Sequence, residues 1–85
     1  MTIDFHKEFT KSFKKLSPKI KKKFQERLVL FENDQFNPIL NNHALKGEYQ
    51  GYRSINVSGD TRAIYRKNSE SVLFVAIGSH SKLYG

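Results

Sequence analysis

Val72-Leu73-Phe74-Val75-Ala76-Ile77 is a run of six apolar residues, and the rest of the chain must be arranged around it. A short run of this kind predicts a strand that is buried on both faces. Such a strand is expected to be central in a sheet or covered by helices. The turn residues Asn68-Ser69-Glu70 come directly before it, so another strand is expected to end there.

A β-hairpin is predicted immediately before this turn. Residues 49–57 and 61–67 are rich in β-branched and aromatic residues, which is typical of strands. Ser58-Gly59-Asp60 lies between the two segments and has the composition of a tight turn. The second half of the chain therefore predicts three antiparallel strands.

The first half has the apolar spacing of two amphipathic helices. In the first, over about residues 6–16, lysines separate four apolar residues at steps of four and three: Phe5, Phe9, Phe13 and Leu16. Ser17-Pro18 then supplies an N-cap residue and a proline at the first helical position, so a second helix begins there. Its buried face is predicted at Ile20, Phe24, Leu28 and Phe31. Asn37-Pro38 follows its expected end.

This order of elements predicts an α+β fold in a single domain of residues 1–85. An N-terminal helical hairpin packs on one face of a small antiparallel β-sheet, and the opposite face is free to bind. The 85 residues include no cysteine, so apolar packing must stabilise the fold without disulfides.

The chain is strongly basic, with a net charge of +7 and a pI of about 9.8. Residues 1–30 alone hold nine basic and three acidic residues. These lysines could simply form a solvated helix face, but such a charge on a small domain favours a polyanionic partner, nucleic acid first. Lys21, Lys22 and Lys23 are therefore assigned to RNA binding. A membrane surface is the less favoured alternative, because the aromatic residues fall at core spacing.

The sequence also favours a cytoplasmic protein with no membrane partner. Met1-Thr2-Ile3-Asp4-Phe5 lacks the apolar core of a signal peptide. No stretch approaches the roughly 18 to 20 apolar residues that span a bilayer.

Two histidines and one aspartate lie at the expected strand ends, where functional sites usually lie. Histidine can take up and release a proton near neutral pH, and His43 and His80 both occupy polar segments. Asp60 is a candidate, although an aspartate in such a turn can be only a turn former. His6 is interpreted as a solvated residue of the basic first helix.

Several classes of site are excluded by spacing. The chain has no His-x-x-x-His, no Cys-x-x-Cys and no clustered acidic pair, so neither a metal nor another cofactor is expected. No serine lies on a nucleophile elbow, and no glycine loop matches a phosphate-binding motif. General acid-base chemistry beside a phosphodiester remains, because RNA supplies its own 2'-hydroxyl nucleophile.

Arginines and tyrosines extend the candidate site. A guanidinium suits a phosphate better than an ammonium does, so Arg62 and Arg53 are candidates, each with a surface role as the alternative. Lys46 and Lys82, beside the two histidine segments, are also assigned to RNA binding. Four tyrosines could stack on unpaired bases or simply pack in strands: Tyr49, Tyr52, Tyr65 and Tyr84.

Four segments of the second half carry a family resemblance. They are His43-Ala44-Leu45-Lys46-Gly47, Gly51-Tyr52-Arg53, Asp60-Thr61-Arg62-Ala63-Ile64-Tyr65 and Gly78-Ser79-His80-Ser81-Lys82-Leu83-Tyr84-Gly85. Together they resemble the RelE superfamily, especially its YafQ-like toxins, and the match covers the whole chain in order. The resemblance implies a ribosome-dependent endoribonuclease that cleaves mRNA and is silenced by an acidic cognate antitoxin.

The same resemblance implies roles for individual residues. The catalytic positions of YafQ-like toxins correspond here to His43, Asp60, His80 and Tyr84, and Arg62 matches the phosphate-stabilising arginine of RelE-like relatives. Our mechanistic hypothesis, in which the sequence leaves open which group is the base and which is the acid, has His43 or Asp60 orienting and deprotonating the 2'-hydroxyl. Arg62 holds the phosphorane, while His80, helped by Tyr84, protonates the 5'-oxygen.

Two departures from the family pattern bear on activity. Asn56 stands where YafQ-like members usually have a histidine, and Thr61 stands where some have tryptophan. An asparagine can hydrogen-bond but cannot transfer a proton at neutral pH, so the proton roles fall on His43 and His80. Two rival interpretations remain: a ParE-like gyrase-inhibiting toxin without nuclease activity, and a non-toxic RNA-binding module.

Overall fold

The computed structural model describes residues 1–84, so Gly85 of the C-terminal motif lies outside the described residues. Three α-helices and five strands occur within this part of the chain. Their order is β1 (Thr2–Phe5), α1 (Lys7–Lys14), α2 (Pro18–Asn33), β2 (His43–Ala44), β3 (Arg53–Ser58), β4 (Thr61–Asn68), β5 (Ser71–Ser79) and α3 (His80–Tyr84). Short 3-10 turns at Pro38–Leu40 and Gly47–Tyr49 flank β2.

The strands of residues 1–84 form one sheet in the order β1-β5-β4-β3-β2. The predicted meander is confirmed, because β3, β4 and β5 pair antiparallel in sequence order. The expectation of a purely antiparallel sheet is wrong, because β1 pairs parallel with β5 at one edge. The α+β class is confirmed, with two more strands than the sequence indicated.

Phe5 shows why β1 escaped prediction. Its spacing from Phe9 fits a helix, but Phe5 ends β1 opposite Phe74, and α1 begins only at Lys7. The Phe5 ring lies 5.2 Å from that of Phe9 and 5.8 Å from that of Phe74. The helical spacing of Phe5 and Phe9 therefore reflects their packing in one aromatic cluster, to which Phe5 contributes from a strand and not from a helix.

The core lies between the helices and one face of the sheet. The predicted face of α2 is confirmed: Phe24 and Phe31 are buried, and Ile20 and Leu28 pack against the core. Arg27 Nε donates a hydrogen bond to the Val57 carbonyl at 3.2 Å, which ties α2 to β3. No helix in the described part of the chain combines the length and apolar character needed to cross a bilayer.

The two faces of β5 differ. Val72, Phe74 and Ile77 are buried in the core, whereas Leu73 and Val75 are only partly buried. The predicted interior position of β5 is confirmed by its place between β1 and β4. Its predicted burial on both faces is wrong, because helices α1 and α2 cover only one side of the sheet. We call the other side the open face.

Replacing Ser17 with alanine is expected to lower the free energy of unfolding by about 1 kcal/mol. The Ser17 side chain accepts a hydrogen bond from the Ile20 backbone N-H at 3.3 Å at the start of α2. Urea unfolding followed by circular dichroism measures the change. Ser12→Ala, an exposed position of α1, is the matched control, and an equal loss there would contradict the capping role.

Candidate functional site

A cleft of about 400 Å³ lies on the open face beside β2 and α3. It is lined by Asn41, His43, Leu45, Lys46, Ser54, Arg62, His80 and Tyr84. We call it the histidine cleft. Four of the five residues predicted to be catalytic therefore share one cavity, although they come from segments up to about forty residues apart in the sequence.

Strand register places these side chains together. His43 of β2 lies opposite Ser54 of β3, and Arg62 of β4 lies opposite Asn56 of β3. Residues directly opposite in an antiparallel pair project from the same face, as do residues two apart on one strand. His43 and Arg62 therefore project from the open face with β3 between their strands.

His43 is oriented by the loop before it. Its Nδ1 lies 2.8 Å from the Asn41 carbonyl oxygen, which can only accept a hydrogen bond, so Nδ1 carries the proton. In the neutral ring Nε2 then keeps its lone pair. Asn41 has a left-handed backbone with φ of 45°, a conformation that asparagine tolerates better than most residues.

His80 begins the short helix α3, which the sequence did not predict. Its backbone N-H donates to the Asp60 carbonyl at 2.8 Å, which ties α3 to the β3-β4 turn. The His80 and Tyr84 rings lie 4.7 Å apart, one helical turn from each other. Gly78 packs close to Leu83 of α3, and a Cβ at this position would lie 3.7 Å from the Leu83 side chain, an ordinary van der Waals contact.

Arg62 is held at the base of the same turn. Its Nη1 donates to the Gly59 carbonyl at 2.8 Å and to the Thr61 carbonyl at 3.2 Å. Gly59 adopts φ of +35° in this turn, which favours glycine. The tether uses one guanidinium nitrogen, so the remaining N-H donors can face a bound phosphate.

Asp60 is placed differently from the other predicted catalytic residues. It is exposed on the β3-β4 turn and does not line the histidine cleft. Its contact with the site is the hydrogen bond from its carbonyl to His80. This geometry gives Asp60 a position from which it supports His80 through the backbone.

The residues assigned to RNA binding fall in three places. Lys46 lines the histidine cleft and Lys82 is exposed on α3. Arg53 is engaged elsewhere: its Nε donates to Asn42 Oδ1 at 2.8 Å, and its guanidinium carbon lies 5.4 Å from the centre of the Phe36 ring. Lys21, Lys22 and Lys23 lie on α2, away from the cleft and on the helix-covered side of the sheet.

Sequence reasoning missed three lining residues: Asn41, Leu45 and Ser54. The alternation of β3 could have found Ser54, because Ile55 and Val57 face the core and their neighbours must face the other way. In the described part of the chain, Ser54 Oγ, Asn56 Oδ1 and the Tyr84 hydroxyl are buried without a hydrogen-bond partner. Unpaired buried polar atoms are unusual and are expected where a polar ligand or water binds.

The charge of the histidine cleft is positive. Lys46 and Arg62 are the cations of its lining, and no carboxylate among residues 1–84 lines it. Within the same residues, no group of three or more histidine, cysteine or acidic side chains could hold a metal ion. Imidazoles are able to transfer protons near neutral pH, and cationic donors attract anions.

Solved toxin structures share this fold. The chain superposes on YafQ from Escherichia coli strain BL21(DE3) with a TM-score of 0.83 at 24% identity, covering 98% of this chain and 97% of that one. YafQ in the E. coli DinJ-YafQ toxin-antitoxin complex gives 0.80 at 25% identity, over 98% and 96% of the two chains. A YoeB/ParE toxin from Agrobacterium tumefaciens gives 0.77 at 15% identity, over 94% and 99%.

Sequence comparison is consistent with these superpositions. No curated protein matches significantly. The family model described as "Bacterial toxin of type II toxin-antitoxin system, YafQ" matches residues 1–85. The chain therefore belongs to the YafQ family of type II toxin-antitoxin toxins.

Proposed function

We propose that this chain is a ribosome-dependent endoribonuclease of the cytoplasm that cleaves mRNA by attack of the RNA's own 2'-hydroxyl, without a metal ion. The observation that carries the proposal is the shared lining of the histidine cleft by His43, Arg62 and His80. Two proton-transfer groups and a phosphate-binding group are what this reaction requires.

His43 acts as the general base. The hydrogen bond between Nδ1 and the Asn41 carbonyl leaves Nε2 free to accept the proton of the 2'-hydroxyl. The 2'-oxygen then forms a bond to phosphorus. This assignment favours His43 over Asp60, because Asp60 lies outside the lining of the cleft.

Arg62 and His80 act on the phosphorane and on the leaving 5'-oxygen. Arg62 stabilises the charge of the phosphorane, and the bond from phosphorus to the 5'-oxygen breaks as His80 donates a proton to that oxygen. Tyr84 packs against the His80 ring at 4.7 Å and holds it in place. The products are a 2',3'-cyclic phosphate end and a 5'-hydroxyl end.

Asp60 and Asn56 act as positioning residues in this mechanism. Asp60 anchors the backbone of His80, and Asn56 lies beside Arg62 in the strand register with its Oδ1 unpaired among the described residues. Asn56 can accept a hydrogen bond from the substrate or from Arg62. Since it cannot transfer a proton, the two histidines carry both proton steps.

The partners of the chain are a cognate antitoxin, the ribosome and mRNA. E. coli YafQ is described in complex with DinJ, and the net charge of +7 suits an acidic, partly disordered antitoxin that folds as it binds. Lys21, Lys22 and Lys23 are separate from the cleft and would contact ribosomal RNA, while Lys46 and Lys82 would contact the mRNA backbone. Arg53 lies two residues before Ile55 on β3 and bonds to Asn42, so any contact of its side chain with RNA would be made outside the cleft.

Adding the purified chain to a translating extract is expected to cut mRNA and leave 2',3'-cyclic phosphate and 5'-hydroxyl ends. Because the proposed chemistry needs no metal, pre-formed complexes of ribosome and mRNA should be cut at the same rate with and without a brief pulse of chelator. End mapping and phosphatase sensitivity identify the ends. Intact mRNA together with inhibited gyrase would favour the ParE-like alternative and overturn the nuclease.

A further inference from the structure

A second cavity of about 480 Å³ lies on the open face, where it serves no step of the cleavage reaction proposed above. The polar and aromatic part of its lining comprises His6, Glu8, Glu48, Tyr49, Tyr52 and Arg66. The apolar part includes Leu73, Val75 and Ala76 of β5. We call this cavity the tyrosine pocket. Its volume is within the range of small-ligand sites, about 300 to 1,000 Å³.

A row of three aromatic rings connects the tyrosine pocket with the histidine cleft. Tyr84 lines the cleft, and its ring lies 6.0 Å from that of Tyr49 at 88°. Tyr49 lines the pocket and lies 6.0 Å from Tyr52 at 79°. A ligand that occupies the cleft can therefore extend along the same face into the pocket.

The two cavities have different charges. The histidine cleft has cationic side chains and no carboxylate among residues 1–84, whereas Glu8 and Glu48 accompany Arg66 in the tyrosine pocket. A phosphate therefore favours the first cavity, because in the second the two carboxylates offset the charge of Arg66. For an RNA strand laid across both, the backbone belongs over the cleft and a base belongs in the pocket.

We propose that the tyrosine pocket binds one unpaired base of the RNA substrate, next to the nucleotides at the cut. This inference rests on the proposed nuclease function. Tyr49 and Tyr52 supply rings for stacking, which single-stranded RNA readers use widely. The apolar residues of β5 supply the floor of the pocket.

The carboxylates give the pocket a preference among bases. A carboxylate accepts hydrogen bonds from an exocyclic amino group, as in readout of cytosine by glutamate. Adenine, cytosine and guanine have such a group and uracil lacks one. The pocket is therefore expected to select a base with an exocyclic amino group over uracil at one position beside the cut.

Binding is tested on the free 85-residue chain by NMR titration with uncleavable 2'-O-methyl hexamers of adenosine, cytidine or uridine. We expect amide shifts at Tyr49, Tyr52 and Ala76, and affinity for the uridine hexamer about 10-fold weaker than for the other two. The Tyr52→Ala variant is expected to bind the adenosine hexamer with about 10-fold lower affinity than the wild type. Tyr52→Phe, which keeps the stacking ring, is the matched control and should bind within about twofold of wild type.

Cleavage separates this inference from the proposed function. In the translating extract, Tyr52→Ala is expected to cut mRNA with a flattened base preference at one flanking position, while Tyr52→Phe keeps the wild-type preference. Shifts confined to the histidine cleft, or equal binding of all three hexamers, would overturn the base site and leave the nuclease intact. Absence of cutting by the wild type would instead contradict the nuclease, and the titration would still decide whether the pocket takes a base.

Discussion

Replacing His80 with alanine is expected to slow mRNA cleavage by about 10²- to 10⁴-fold in a translating extract. In the proposed mechanism His80 protonates the departing 5'-oxygen, and alanine leaves that oxygen to be protonated by water. His80→Gln keeps a polar side chain of similar length but cannot donate a proton in the same way. It should be nearly as slow as His80→Ala, since proton donation and not packing sets the loss.

Ser81→Ala is the matched control for His80. Ser81 is the next residue of α3, is exposed and does not line the histidine cleft, so cleavage should stay at the wild-type rate. Urea unfolding of each variant verifies that the fold is retained. Wild-type cleavage by His80→Ala, with the fold intact, would remove His80 from the reaction and with it the proposed assignment of acid and base.

Replacing Arg62 with glutamine is expected to slow cleavage by about 10²- to 10³-fold. The cation that faces the phosphorane is lost, and so is the tether from Nη1 to the Gly59 carbonyl. Arg62→Lys restores the charge but not the planar fork of donors, and we expect it to recover only part of the rate. Single-turnover cleavage of a defined mRNA on purified ribosomes separates this loss from a change in ribosome binding.

Lys67→Gln is the control for Arg62, because it removes a positive charge from an exposed position of the same strand, outside the histidine cleft. Its cleavage rate on bound ribosomes should match that of the wild type. If Lys67→Gln and Arg62→Gln slowed cleavage equally, the loss of one positive charge from the protein would explain the slower cleavage by Arg62→Gln. A role at the scissile phosphate would then have to be withdrawn.

Local signals in the sequence were sufficient for most of the fold. Ser17-Pro18 marked the start of α2, and Ile20, Phe24, Leu28 and Phe31 marked its buried face, because an amphipathic helix records its own period. The strands β4 and β5 were found because β-branched and aromatic residues concentrate there. The missed elements are short, and β1 pairs with a strand almost seventy residues away.

Local signals in the sequence indicated which residues could form the candidate site but not that they meet in one cleft. Residue type made His43, His80, Arg53 and Arg62 candidates, because few side chains can move a proton or bind a phosphate near neutral pH. The family resemblance then favoured Arg62 over Arg53. The shared cleft depends on the register of β2, β3 and β4 and on the hydrogen bond from His80 to Asp60. Each of these contacts joins separate segments, so the residue spacing within one segment cannot predict it.

By itself the sequence determined the α+β class, the two helices, the meander, the positive charge and the chemical identity of the candidate residues. Each of these follows from composition or from a period within one element. Only the tertiary structure decided that β1 joins the sheet, that Asp60 lies outside the histidine cleft and that Asn41 orients His43. Those outcomes depend on backbone hydrogen bonds and packing between distant segments, which form only when the whole chain is folded.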